Sequence, residues 1–118
     1  MSKGKLSTVV ELPIFLSKAD GLLSSAERTE LVDYLAKNPE DGDEIPRTGG
    51  LRKLRWGIKG KGKRGGARII YYFYNYSAPV FLIFIYGKNQ QDNLTPQEEK
   101  RLEKIASSIK EDCKNRRK

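Results

Sequence analysis

The chain has 118 residues with a formal net charge of +8 at pH 7, one cysteine and no histidine. No apolar run approaches the roughly 18 residues of a membrane-spanning helix, and the N-terminus lacks a signal-peptide pattern, so we expect a cytoplasmic protein without a membrane partner. The lone Cys113 excludes an internal disulfide and, without histidine, a zinc site. The length predicts one domain, residues 1–118, with frayed ends at 1–7 and 114–118.

The predicted elements follow in chain order from periodicity and turn signals. Strands are expected at residues 8–12, near 45, and at 51–58, 67–76 and 80–86. Helices are expected at 14–20, from the Ser24/Glu27 capping box to 37, and from the Thr95/Glu98 capping box onward. The run 80–86 is apolar on both faces, which predicts an internal strand covered on one side by helices. The order β-α-α-β-β-β-β-α predicts an α+β two-layer fold, with an antiparallel sheet of four to five strands and helices packed on one face.

The positive charge is concentrated in one segment. Residues 45–91 hold ten basic residues and no acidic one, whereas the rest of the chain has a net charge of −2. The ten are Arg47, Arg52, Lys53, Arg55, Lys59, Lys61, Lys63, Arg64, Arg68 and Lys88. A basic face that serves only solubility usually contains interspersed acids. The pattern therefore favours a nucleic-acid partner over a solvated basic face.

Part of this segment is a glycine-rich loop, KGKGKRGG, at residues 59–66. It does not match a P-loop, because no Gly-Lys-Ser/Thr opens a helix after it. Glycines let a backbone approach phosphates closely, and the alternative is a solvent-exposed turn without a ligand. We interpret the loop as a hairpin tip that binds an RNA backbone through Lys59, Lys61, Lys63 and Arg64.

The strand residues suggest a catalytic surface. Lys53 and Arg55 are two positions apart on one predicted strand and so share a face. Arg68 opens the next predicted strand, and Lys88 follows the strand after that. Antiparallel pairing would place all four side chains on one surface. Tyr72, Tyr74 and Tyr86 would then be available to stack on unpaired bases, although strand tyrosines are more often plain β-formers.

Residue types that the sequence lacks restrict the catalytic mechanism. Without histidine there is no imidazole acid–base pair, and without a carboxylate in residues 45–91 a two-metal site is disfavoured. We therefore expect no metal ion and no cofactor. The remaining route is attack of an RNA 2′-hydroxyl on its neighbouring phosphate, with arginine and lysine stabilising the developing charge. A crowded Lys53 or Lys88 is the hypothetical proton-transfer group.

The segments TGGLRKLRWGIKGKGKRGGARIIYYF (48–73) and IYGKN (85–89) resemble the RelE/HigB-like toxins of bacterial toxin–antitoxin pairs, especially the HigB subgroup. The resemblance covers nearly the whole chain. It implies a ribosome-dependent mRNA endonuclease that inhibits translation, with a helix-turn-helix, DNA-binding antitoxin as its partner. It places catalytic roles on Lys53, Arg55, Arg68 and Lys88.

This sequence departs from the better-known branch of the family after the Gly-Lys turn. Asn89, a candidate RNA contact, stands where that branch has an arginine, and Thr95 stands roughly where it has a catalytic tyrosine. Two other readings stay open: a non-catalytic inhibitor that binds RNA or the ribosome, and a DNA-binding regulator. The DNA-binding reading is the weaker one, because the basic segment is predicted to form strands and a loop rather than a helix that could enter the major groove of DNA. We expect the free protein to be a monomer, since its most apolar strand should be internal.

Overall fold

A computed structural model describes residues 6–58 and 62–116 of the chain. In this part of the chain the element order is β-α-α-β-β-β-β-α, as predicted. The strands are β1 (Val9–Glu11), β2 (Asp43–Glu44), β3 (Leu51–Ile58), β4 (Gly62–Phe73) and β5 (Val80–Gly87). The helices are α1 (Pro13–Ala19), α2 (Ser25–Lys37) and α3 (Pro96–Asn115).

Both predicted capping boxes are confirmed. Ser24 Oγ accepts a hydrogen bond from the Glu27 backbone N–H at 3.1 Å, and Glu27 Oε1 accepts one from the Ser24 N–H at 2.9 Å. Thr95 and Glu98 form the same reciprocal pair at the start of α3. These bonds satisfy N–H groups that have no partner inside the helix, and they explain why α2 and α3 begin where they do.

The sheet has five strands in the order β1-β5-β4-β3-β2. Its α+β class is confirmed, but the expectation of an antiparallel sheet is wrong at one edge, where β1 runs parallel to β5. The Val80 N–H donates to Thr8 O at 2.8 Å, and the Leu12 N–H donates to Leu82 O at 3.0 Å. A parallel pair needs a long connection, and the elements from α1 to β4 supply it.

The helices lie on both faces of the sheet, so the prediction that they pack on one face is also wrong. Helices α1 and α2 cover one face and contribute Phe15, Ala19, Leu31 and Leu35 to its core. Helix α3 crosses the opposite face, where Leu102 and Ala106 pack on Leu51, Ile70, Tyr72, Ile83, Phe84 and Tyr86. A strand that is apolar on both faces, as β5 is, must be covered on both.

The described segments near both ends make contacts with the rest of the fold. The Ser7 N–H donates to Ala36 O at 2.9 Å, which ties the segment before β1 to helix α2. Helix α3 continues to Asn115, into the stretch expected to fray, and Cys113 is buried on its inner side. Strand β4 begins at Gly62, within the predicted loop. Among the described residues, no helix is both long and apolar enough to cross a membrane.

Candidate functional site

The strand register brings three of the predicted basic residues together. Arg55 on β3 lies directly opposite Arg68 on β4, and Arg68 lies opposite Tyr86 on β5. Residues directly opposite each other point to the same face, and Lys53, two positions before Arg55, points there too. This is the face that α3 crosses. Lys53, Arg55 and Arg68, together with Lys88 just beyond β5, are called the basic surface below.

The members of the basic surface differ in exposure. Arg55 is exposed and Lys53 is half-buried, whereas only 7% of Arg68 is accessible. Arg68 Nη1 donates to the Ala67 carbonyl at 3.3 Å. Arg68 lies in the middle of β4 rather than at its start, because β4 begins earlier than predicted. At Arg68 strand β4 is flanked by β3 and β5, which accounts for its burial, whereas β3 has no second neighbour at Arg55 among the described strands, and Arg55 is the most exposed member of the basic surface.

A compact turn holds Lys88 beside these strands. The Lys88 backbone N–H donates to Gly66 O at 2.9 Å, and Lys88 Nζ donates to Asp92 Oδ1 at 3.1 Å. The Gln90 N–H closes the turn on Gly87 O at 3.0 Å. Asn89 is exposed at the tip of this turn. The contact with Gly66 joins the turn to β4, two residues before Arg68.

The tyrosines are less accessible than the prediction of base stacking requires. Only 3% of Tyr72 and 3% of Tyr86 is exposed, because both pack in the core beneath α3. Burial raises the pKa of both phenols above the ordinary tyrosine value. The Tyr86 hydroxyl lies 3.5 Å from the Asp92 carbonyl oxygen. In this arrangement neither ring offers an open face to a base.

The basic hairpin tip is only partly described. Lys59 and Lys61 lie outside the described residues. Lys63 and Arg64 belong to β4 by their backbone, but their side chains lie outside the described part of the chain. Their predicted contacts with an RNA backbone therefore stay predictions.

Two carboxylates that the sequence analysis did not use lie beside the basic surface. Asp43 on β2 is directly opposite Lys53 and so points to the same face, and Asp92 pairs with Lys88. The spacing of four residues between Lys88 and Asp92 could have predicted their ion pair from the sequence. The position of Asp43 opposite Lys53 could be known only from the register of β2, a strand of two residues. Within the described ranges, no group of three or more His, Cys, Asp or Glu side chains is placed to hold a metal ion.

The arrangement is suited to binding a phosphate group. Arg55 and Arg68 lie opposite each other on neighbouring strands, Lys53 lies two positions before Arg55 on β3, and Lys88 lies just beyond β5. Guanidinium groups form bidentate hydrogen bonds with phosphate oxygens, and positioned cations stabilise the charge that develops on a reacting phosphate. The basic surface can therefore both hold a polyanion and stabilise a transition state at one of its phosphates.

Comparison with known proteins agrees with this fold. The free state of a mutant of the E. coli toxin RelE superposes on the chain with a TM-score of 0.52, covering 74% of this chain and 88% of that one at 14% identity. At that identity the likeness concerns the fold alone. A family model described as "RelE toxin of RelE / RelB toxin-antitoxin system" matches residues 24–116, which include every member of the basic surface. The chain belongs to the RelE toxin family.

Proposed function

We propose that this chain, as the toxin of a type II toxin–antitoxin pair, cleaves mRNA on the ribosome and so inhibits translation. Family membership supports the toxin role and a cognate antitoxin. The observation that supports RNA cleavage is the placement of Arg55 opposite Arg68 at the centre of the basic surface. The same proposal includes a HigB-like subgroup, a helix-turn-helix antitoxin, a cytoplasmic location and a monomeric free toxin.

The chemistry we propose uses the substrate's own nucleophile. The 2′-oxygen attacks the neighbouring phosphorus and forms a P–O2′ bond, while the P–O5′ bond breaks. The products are a 2′,3′-cyclic phosphate and a free 5′-hydroxyl, so one proton leaves the 2′-hydroxyl and one reaches the departing 5′-oxygen. Arg55 and Arg68 stabilise the additional negative charge on the phosphate oxygens in the transition state.

We assign different roles to the two lysines. Lys88 donates to the Asp92 carboxylate, and an ammonium held in this way serves as a positive charge for the phosphate rather than as a proton acceptor. Lys53 forms no ion pair within the described residues, and the Asp43 carboxylate lies opposite it on β2. Because no described carboxylate forms an ion pair with its ammonium, Lys53 rather than Lys88 is our candidate for proton transfer at the 2′-hydroxyl.

The test is induced expression in a bacterium, with mapping of mRNA 5′ ends. Arg55→Ala is the informative variant, because Arg55 is exposed and its removal leaves no buried group without a partner. Lys104→Ala removes one positive charge from an exposed position on α3 and is the matched control. We expect growth arrest and new ends within translated frames for the wild type and Lys104→Ala, and neither for Arg55→Ala. Equal urea midpoints would show that the variants are folded.

The other outcomes distinguish the alternatives. Arrest without new ends would indicate a non-catalytic inhibitor that binds the ribosome or RNA. Cleavage of an mRNA with a 2′-deoxy group at the scissile position, as fast as of the unmodified mRNA, would contradict the proposed nucleophile.

A further inference from the structure

A polar cavity of about 380 Å³ lies at the end of β5. It opens to solvent and is lined by α1, the end of β5, the turn after β5 and the start of α3. The lining residues that bear on its function are Lys18, Tyr86, Gln90, Gln91 and Glu98. Tyr86 lies opposite Arg68, and Gln91 is on the same turn as Lys88. The cavity therefore lies on the β5 side of the basic surface, one strand away from Arg68.

The two glutamines have fixed orientations. Gln91 Nε2 donates to Asn93 O at 2.8 Å and to Glu98 Oε1 at 2.9 Å, and both partners can only accept. The Gly87 N–H donates to Gln90 Oε1 at 3.3 Å. These contacts settle which end of each amide is oxygen. Within the described residues, Gln91 Oε1 is left as an acceptor and the Gln90 amide nitrogen as a donor, and neither has a protein partner.

One positive side chain, Lys18, and two negative ones, Asp20 and Glu98, also line the cavity. Lys18 extends from α1, with its Nζ 5.7 Å from the centre of the Phe84 ring. Glu98 lies across from it at the start of α3, and its pKa is lowered by hydrogen bonds from Thr95 and Gln91 and by the charge of Lys18, which together outweigh its partial burial. Lys18 and Glu98 form no ion pair in the described part of the chain. A polar ligand can therefore enter between the ammonium and the carboxylate.

We propose that this cavity binds a guanine base of the RNA, in the nucleotide next to the scissile phosphate, a proposal that rests on the function given above. Guanine offers O6 and N7 as acceptors and N1–H and N2–H₂ as donors. Its acceptors match Lys18 and the Gln90 amide, and its donors match Gln91 Oε1 and the Glu98 carboxylate. Adenine and cytosine present a ring-nitrogen acceptor where guanine presents N1–H, and the carboxylate repels it. Uracil has only one N–H donor for the two acceptors.

Binding of uncleavable RNA tests the pocket separately from catalysis. The probes are four single-stranded tetranucleotides of sequence UUNU, with 2′-O-methyl groups throughout, in which N is G, A, C or U. Titration calorimetry would measure the dissociation constant of each probe for the wild type, Lys18→Met, Gln91→Leu and the control Lys104→Met. Lys18 is exposed and donates no hydrogen bond to a described residue, so Lys18→Met tests the pocket even if Gln91→Leu disturbs the turn.

We expect the wild type and Lys104→Met to bind the G probe about tenfold more tightly than the other three. Lys18→Met and Gln91→Leu should reduce this preference to about twofold or less. Equal dissociation constants for the four probes, or a G preference unchanged in both pocket variants, would overturn the proposal. If mRNA is cut but no preference exists, the pocket alone is wrong. If the preference behaves as expected but no mRNA is cut, the proposed cleavage is wrong and the guanine pocket stands.

Discussion

Tyr71 connects the sheet to the loop before β2, and replacing it with phenylalanine tests how that loop is held. The ring is fully buried in the core beneath α1 and α2. Its hydroxyl donates to Pro39 O at 2.8 Å and accepts from the Gly42 N–H, also at 2.8 Å. Gly42 is required there, because a Cβ at that position would lie 2.7 Å from the Tyr71 ring. Tyr71→Phe removes only the hydroxyl and keeps the packing of the ring.

The magnitude follows from the two backbone groups that lose their partner. A buried donor or acceptor left without a hydrogen bond costs about 1–3 kcal/mol. Arg52 Nη1 still donates to Gly42 O at 2.7 Å and to Glu40 O at 3.0 Å, so the loop stays attached. We therefore expect Tyr71→Phe to lower the free energy of unfolding by about 2–6 kcal/mol, toward the low end if water reaches Pro39 O.

Urea denaturation followed by Trp56 fluorescence would measure this loss, in an Arg55→Ala background so that expression does not depend on toxicity. Tyr76→Phe is the matched control, because the Tyr76 hydroxyl also donates one hydrogen bond, to Glu40 Oε1 at 3.1 Å, but the residue is 45% exposed. Its loss should be below about 0.5 kcal/mol. If the two substitutions had equal effects, the buried hydroxyl would not hold the loop, and the reasoning would be refuted.

Three further predictions concern stability. Burial raises the pKa of Tyr71 to about 12, against about 10 in an unfolded chain. The contribution of Tyr71 to stability is therefore complete below pH 10 and is lost as the pH rises toward 12. Urea midpoints measured from about pH 8 to 11 should fall less steeply for Tyr71→Phe than for the wild type. Thr95→Ala removes the cap of α3 and should cost about 1 kcal/mol in urea denaturation, whereas Thr95→Ser should cost much less; equal losses would contradict a capping role. Leu102→Ala should cost about 2–5 kcal/mol, and a loss below 1 kcal/mol in thermal unfolding would show that α3 packs only loosely on the sheet.

Several features of this protein were determined by its local sequence. The capping boxes at Ser24 and Thr95 position the first turns of α2 and α3 through contacts that span only three residues. The alternation of Lys53 and Arg55 with apolar residues placed both cations on one face of β3, because successive strand residues point to opposite faces. Interactions of this range depend little on the rest of the fold, so they can be predicted from the chain alone. The long motif of residues 48–73 likewise indicated the family that the comparison shows.

Other features were decided only by the tertiary structure. A strand that is apolar on both faces does not specify which helix covers which face, and α3 took the face that carries the basic surface. That choice buried Tyr72 and Tyr86, which strand periodicity alone could not distinguish from exposed tyrosines. The pairing of Asp43 with Lys53 and the cavity between Lys18 and Glu98 join residues far apart in sequence. Such contacts depend on how whole elements pack, because no local hydrogen bond or periodicity encodes them.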